Sequence, residues 1–306
     1  MILTVCPNPC IDCTIEIEDF KIGRLNRLDN KIENLAGKAL NSAIGITRLG
    51  AKAFATGFMF EKGGKQFSRF LLNEGIENQF VWNKGGVRVN YKIIDGKSMM
   101  TEINDKGDKV SLQKQSELIE LVKEKSLESD IVVISGSLPS GVDDEYYYSL
   151  ATAAGKAKIV VDGERKKLLA ALKAGVYMAK PNIAELEEFT GEKYKTYEEM
   201  IDGCRKIIDD GAENVMLSLG RRGAIFTDGV TSYFCKSENV AINSTVGAGD
   251  SMVAAACVAT IEGADKPEIL RRAVAAGTAS ITTPGTSLFT KEKYLEILDN
   301  LKVAKL

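Results

Sequence analysis

Histidine is absent from the 306 residues. That gap removes Ser-His-Asp and Cys-His catalysis, histidine metal sites and histidine-based pH switching. Proton transfer is left to Asp, Glu, Lys, Tyr or Cys. Net charge is scarce too: 40 Lys and Arg against 42 Asp and Glu leave -2. Such a balance offers no basic field for nucleic acid and no basic amphipathic segment for a membrane surface. No apolar run approaches the roughly 20 residues that span a bilayer. Met1-Ile-Leu-Thr-Val5 enters a strand-like run at once, without a charged region and cleavage site after it. The chain therefore reads as cytoplasmic, with neither nucleic acid nor membrane as partner. Two phosphate motifs are also missing. There is no G-x-x-x-x-G-K-[ST], and no G-x-G-x-x-G stands between a strand and a helix, so neither a P-loop NTPase nor a Rossmann dehydrogenase is indicated.

Cysteine is present six times. Cys6, Cys10 and Cys13 have the spacing C-x3-C-x2-C, similar to the cluster motif of radical-SAM enzymes, in which three thiolates hold three irons of a [4Fe–4S] cluster. An Fe–S enzyme is thus one alternative. Against it, Asp12 precedes the last cysteine, and the stretch reads as strand, turn, strand. In a reduced compartment free cysteines serve as small hydrophobes.

What is present centres on Asn243-Ser-Thr-Val-Gly-Ala-Gly-Asp-Ser251. Small residues Gly247, Ala248 and Gly249 run into Asp250, and an apolar helical stretch follows to about Ile261. A bare loop feeding a helix start leaves N–H groups free to hold an anion, helped by the helix dipole. A carboxylate beside that anion hole can accept the proton of an attacking hydroxyl. The dipole and N–H groups are expected to keep Asp250 ionised near neutral pH. The alternative is that Asp250 merely starts the helix.

Elsewhere two rhythms alternate. Ile2–Val5 is a short apolar strand and Ala53–Gly57 another strand. The remaining strands up to about residue 104 are partly polar: Thr14–Glu18, Asn30–Leu35, and Val87–Ile94 and Lys97–Ile103 about an Asp95-Gly96 hairpin turn. These strands read as a small accessory sheet. From about Glu117 to Val240, apolar strands such as Ile131–Ile134, Ile159–Val161 and Val215–Leu217 alternate with helices. That order implies parallel strands in a doubly wound α/β sheet with helices on both faces, and ligands at the strands' carboxyl ends. Asn182 and Glu185 form a capping pair after Pro181; Glu185 is also a candidate for Mg²⁺ through water. Ser135–Gly141 is a Gly/Ser turn after a buried strand, and Gly220-Arg-Arg-Gly223 a tight hairpin. Lys38, Arg88 and Lys92 read by default as surface cations. Arg88, Asn90 and Lys92 share one strand face, however, and could grip a phosphate.

Over essentially its whole length the chain resembles the PfkB branch of the ribokinase family of sugar kinases. The strongest match is Thr245-Val-Gly-Ala-Gly-Asp250 with Ser251, followed by Ala36-Gly37-Lys38-Ala-Leu-Asn41. Asn8-Pro-Cys-Ile-Asp12, Ser135-Gly-Ser-Leu-Pro, Lys180-Pro-Asn-Ile-Ala-Glu185 and Ser218-Leu-Gly220 fall in the family's order. Thr101-Glu-Ile-Asn104, Arg88-x-Asn90-x-Lys92 and Thr283-Pro-Gly-Thr286 resemble its 1-phosphofructokinase and tagatose-6-phosphate kinase branch. The resemblance implies a single ribokinase-like domain over 1–306, with a β lid drawn from about 10–36 and 86–104 that makes a homodimer. It implies ATP and Mg²⁺, with Asp250 as base and Gly247, Ala248 and Gly249 as the anion hole. Asp12, Gly37, Asn41 and Asn90 would hold the sugar, and Lys38 and Arg88, with Arg27, its phosphate. Lys180, Asn182, Ser218, Gly220, Gly223 and Ser280 would line the nucleotide site, and Glu185 would take the metal. The implied reaction is ATP-dependent phosphorylation of fructose 1-phosphate. Alternatives are a tagatose-6-phosphate kinase and a sugar-phosphate-binding protein without catalysis. Ala36, Ala39, Phe60-Glu61 and Asp162-Gly-Glu-Arg depart from the family's usual residues.

Overall fold

Strand β1 (Ile2–Cys6) is buried along its whole length, as a strand covered on both faces must be. The structure is a computed structural model and describes residues 1–97, 99–283 and 288–306. After β1 come β2 (Cys10–Ile17), β3 (Asn30–Ala36), α1 (Lys38–Arg48), β4 (Ala53–Phe60), α2 (Glu61–Asn73), β5 (Glu77–Gly86), β6 (Arg88–Asp95) and β7 (Met100–Ile103). The helix–strand alternation then takes over with α3 (Leu112–Ser126), β8 (Ile131–Ser135), α4 (Tyr146–Ala153), β9 (Lys158–Asp162), α5 (Arg165–Leu172), β10 (Val176–Ala179), α6 (Ile183–Thr190), α7 (Tyr197–Asp209) and β11 (Ala212–Ser218). The last part holds β12 (Ala224–Thr227), β13 (Ser232–Cys235), α8 (Ala248–Ile261), α9 (Lys266–Ser280), α10 (Lys291–Asn300) and β14 (Val303–Lys305).

Two sheets result. The larger has the order β14-β13-β12-β11-β10-β9-β8-β1-β4-β5, the smaller β3-β2-β6-β7. From β11 across to β5 every pairing is parallel. The chain leaves β1 toward β4 on one side and returns to β8 on the other, so the order switches at β1. A crevice at the carboxyl ends of the strands follows from that switch. Helices cover this sheet, and α8 is buried from Asp250 to Ala259, which explains why it is apolar all round.

One expectation is corrected. The strands up to Val240 are not all parallel: β12 and β13 are antiparallel, because the Gly220–Arg222 turn joins β11 to β12 as a hairpin with no room for a crossover helix. Residues 77–86, which carry no clear strand signal, form β5 at the edge of the large sheet. The 88–103 hairpin lies in the smaller sheet, with Ile94 opposite Met100. Among the described residues no helix is long and apolar enough to cross a membrane.

Candidate active site

Gly247 precedes α8 with φ of 81°, a left-handed conformation that glycine adopts without strain. A side chain there would also stand 2.7 Å from Leu288 Cδ2. The chain turns directly into the helix, so the N–H groups of Ala248, Gly249 and Asp250 have no carbonyl one turn earlier. The helix's own bonding starts with Ser251 N donating to Gly247 O at 2.9 Å. At Gly249 an added Cβ would stand 3.2 Å from Lys180 Nζ, so the small residue keeps the lysine close to the helix start.

The carboxylate of Asp250 is fixed by a second helix. Asn41 Nδ2 donates to Asp250 Oδ2 at 2.7 Å, and Ser42 Oγ donates to its backbone oxygen at 3.2 Å. The sequence cause lies one turn further on. A Cβ at Gly45 would stand 2.7 Å from Ala254 Cβ, so only glycine lets α1 and α8 touch at that level. Asn41 and Asp250 each sit one turn before that contact and meet. Asp250 is 6% exposed. Burial pushes its carboxyl from 3.8 up to about 6, and the charge of Asp162 adds to the rise, against Lys38, Asn41 and Lys180. At about 6 the group is still mostly ionised at neutral pH, but the shift is upward, and burial is its largest cause.

In the sequence Asp162 opens a loop after an apolar strand and departs from the family's usual residues. In the structure it ends β9 and bridges two lysines, with Lys38 Nζ 3.2 Å from Oδ1 and Lys180 Nζ 3.4 Å from Oδ2. Ser135 Oγ donates to its backbone oxygen at 3.0 Å. Burial pushes Asp162 upward, yet Lys180 and Lys38 outweigh it and hold the group below its usual range. Asp162 in turn raises Lys38.

The smaller sheet faces this cluster. Arg88 donates through Nε and Nη2 to Asn8 O at 3.2 and 3.1 Å, and through Nη1 to Asp105 O at 2.9 Å and Asn90 Oδ1 at 3.2 Å. These acceptors are neutral, so the guanidinium is oriented with no carboxylate among the described residues paired to it. Cys10, Asp12 and Thr14 pair in register with Arg88, Asn90 and Lys92, which puts all six on one face. Lys92 is not a surface cation: it is buried and its Nζ lies 2.8 Å from Asp12 Oδ2.

One cavity of about 610 Å³ joins both sides. It is lined by Asp12, Gly37, Lys38, Asn41, Arg88 and Asn90, by Lys180, Asn182, Glu185 and Ser218, and by Gly247, Gly249 and Asp250. Asn8, Ser137, Asp162 and Glu164 line it as well; each stands in a stretch quoted from the sequence, but none was given a role there. A larger groove of about 1310 Å³ opens by Asp130, Ile131 and Lys158, at the amino ends of β8 and β9, away from these groups. Five expected residues do not line it, and Ala248, between Gly247 and Gly249, is one. Arg27 is exposed on the β2–β3 connection, where Asn26 ties the loop to Lys21 rather than to the cavity. Gly220 and Gly223 belong to the turn after β11 and do not line the cavity. Ser280 is buried, its Oγ has no hydrogen-bond partner among the described residues, and it lies beneath Gly247. Pro284, Gly285 and Thr286 lie outside the described residues.

Glu185 completes a capping box: Asn182 Oδ1 accepts from Glu185 N at 2.9 Å, and Glu185 Oε2 from Asn182 N at 2.8 Å. It also faces the cavity, and a hard carboxylate oxygen there suits Mg²⁺ held through water. The cysteine spacing carries no cluster. Cys10 and Cys13 project from opposite faces of β2, Cys6 belongs to the other sheet, and all three are buried. Burial pushes Cys6 up to about 11 and raises Cys10 and Cys13. Among the described residues no group of three His, Cys, Asp or Glu is placed to hold a metal.

An open helix start, a buried carboxylate with raised proton affinity and an arginine on neutral acceptors in one crevice suit phosphoryl transfer to a hydroxyl. The model of the pfkB family carbohydrate kinases matches residues 8–293. The chain belongs to the pfkB family of carbohydrate kinases. It is a phosphotransferase with an alcohol group as acceptor, and ATP is the co-substrate of such a kinase. The chain is 32% identical to a 1-phosphofructokinase of Bacillus subtilis over 308 residues, covering 100% of both. It is 33% identical to a D-tagatose-1-phosphate kinase of Bacillus licheniformis over 288 residues, 93% of this chain and 94% of that one. Phosphofructokinase-2 from Escherichia coli, solved in complex with fructose-6-phosphate, superposes with a TM-score of 0.87 at 27% identity, over 98% of both chains.

Proposed function

We propose that this pfkB kinase transfers the γ-phosphoryl group of ATP to fructose 1-phosphate, forming fructose 1,6-bisphosphate and ADP. The observation that carries the reading is the meeting of Asp250, the open helix start and Arg88 in one cavity. The sugar hydroxyl oxygen forms a bond to the γ-phosphorus, the bridging P–O bond to ADP breaks, and the hydroxyl proton passes to Asp250. The N–H groups of Gly247, Ala248 and Gly249 hold the charge of the moving group, which is where such reactions gain most. Asp12 and Asn90 accept and donate to sugar hydroxyls, while Arg88 and Lys38 hold the phosphate already present. Lys180, Asn182 and Ser218 stand on the nucleotide side. Glu185 would hold Mg²⁺, whose charge would screen the phosphates when bound.

Tagatose 6-phosphate is the rival acceptor, since the same ladder of polar residues suits either ketose. The relative named D-tagatose-1-phosphate kinase favours an acceptor with its phosphate on carbon 1 over tagatose 6-phosphate. We also place the working unit as a homodimer through the smaller sheet, which acts as a lid. Ile32, Tyr91, Met100 and Ile103 of β3, β6 and β7 are large apolar side chains left exposed there, as an interface supplies. Six free cysteines, all buried, suit the cytoplasm. Replacing Asp250 by Asn tests the chemistry. The variant keeps size and polarity but takes no proton, so kcat for fructose 1-phosphate should fall roughly 10²- to 10⁴-fold with KM for ATP little changed. Near-normal kcat would remove Asp250 as base.

A further inference from the structure

Strand alternation puts Lys92 on the face of the small sheet that Arg88 and Asn90 share. Directly opposite it on β7 is Glu102, which is exposed and is the partner an ordinary surface lysine would take. Lys92 turns inward instead. Its side chain is 10% exposed, and it meets an Asp12 side chain that is 8% exposed. Asp12 Oδ1 accepts from Asn90 Nδ2 at 3.3 Å and from Cys10 Sγ at 3.4 Å, while Oδ2 takes Lys92. Asp12, Asn90 and Cys10 line the cavity, whereas Lys92 does not.

A carboxylate buried this deeply needs a cation, and Lys92 is its only ion-pair partner among the described residues. Both oxygens are thereby tied from within the small sheet, so the lone pairs that remain point in one fixed direction. A carboxylate accepts hydrogen bonds and donates none. What it selects from the cavity is therefore a hydroxyl donor at one position. We infer that Lys92 is a positioning residue for substrate selection: from behind, it fixes Asp12 to receive one ring hydroxyl of the sugar, and it touches neither the sugar nor its phosphate. This rests on the ketohexose phosphate reading above. It replaces the view of Lys92 as one of three phosphate-gripping groups.

Merely welding β2 to β6 would give the pair a structural role, so the test needs a readout that stability does not move. Lys92→Met and Lys92→Arg are assayed with fructose 1-phosphate and with its 3-deoxy and 4-deoxy analogues, and melting is followed in parallel. Lys92→Met should lower kcat/KM for fructose 1-phosphate roughly 10- to 100-fold, the worth of a hydrogen bond to a charged group. The loss should fall on the sugar KM, with KM for ATP within about twofold. One deoxy analogue, poor with the wild type, should lose little more in the variant, because hydroxyl and lysine serve the same bond and their effects do not add. Lys92→Arg should recover part of the activity. If Lys92→Met does not fold, Asp12→Asn with Lys92→Met removes both charges together; it should fold and show the same indifference to that hydroxyl. Additive losses for both analogues overturn the assignment, as does an equal rise in both KM values. A wild type idle on every ketohexose phosphate overturns this and the functional reading together. An active wild type with additive losses overturns this assignment alone.

Discussion

Asp250 carries two consequences of its burial. With its carboxyl raised to about 6, a base that works deprotonated should lose activity as pH falls through 6. The acid limb of log kcat/KM against pH should have unit slope centred there, and a limb near 4 would contradict the desolvated site. Stability runs the other way. Between 3.8 and about 6 the folded chain binds a proton that the unfolded chain has released, so stability falls as pH rises through that window. At neutral pH ionised Asp250 costs up to about 3 kcal/mol, the worth of two pKa units. Asp250→Asn should therefore melt at the same temperature or higher, and a lower melting point would return Asp250 to a helix-start role. Arg88 is the second residue to test. Its charge meets only neutral acceptors, so Arg88→Ala should raise KM for the phosphosugar at least roughly tenfold while KM for ATP moves little; equal effects would give it another task. Asp250, Lys38 and Arg88 were legible from motif and spacing. The roles of Asp162 and Lys92 were not, because each depends on partners far along the chain: Lys180 and Lys38 for one, Asp12 for the other. The Asn41–Asp250 bond spans 209 positions, and no local pattern announces it.

At the scale of elements, the contact of α1 with α8 sets the site. Gly45→Ala would place a methyl 2.7 Å from Ala254 Cβ, and neither helix has a flexible atom there to yield. The helices must part, with a stability loss of about 1–3 kcal/mol, and Asn41 must draw back from Asp250. We expect a lower kcat measured alongside a lower melting temperature, and recovery of both on adding Ala254→Gly. Loss of stability with kcat intact would show that the Asn41–Asp250 bond does not serve the reaction. The helices α1, α6 and α8 were readable because caps and apolar runs are local: Asn182 and Glu185 cap α6 as their spacing predicts. β5 was not readable. Its alternating polar positions and Gly85-Gly86 resemble a loop, and only the neighbouring β4 makes it a strand. The antiparallel run β12 to β14 escaped for a related reason. Strand direction depends on the connection, and a three-residue turn after β11 outranks the apolar pattern.

For the molecule as a whole, the doubly wound part after residue 117 and the second sheet were legible, since strands buried on both faces and half-exposed ones differ in composition; that β1, β4 and β5 join the large sheet from before that point was not. How the two sheets face each other was not, because it depends on side chains meeting across the crevice. The proposed dimer can be tested on this scale. Ile103→Lys, on the exposed edge strand β7, should shift the scattering mass from dimer toward monomer, and an unchanged mass would place the interface elsewhere. The central claim concerns the acceptor. Initial rates of ADP formation from ATP should be measured with fructose 1-phosphate, fructose 6-phosphate and tagatose 6-phosphate, and the product's second phosphate located by phosphorus NMR. The account predicts a kcat/KM for fructose 1-phosphate at least about tenfold above the other two, roughly the selectivity of one well-placed group, with the new phosphate on carbon 6. A clear preference for either 6-phosphate, or no ADP from any of the three, would contradict it.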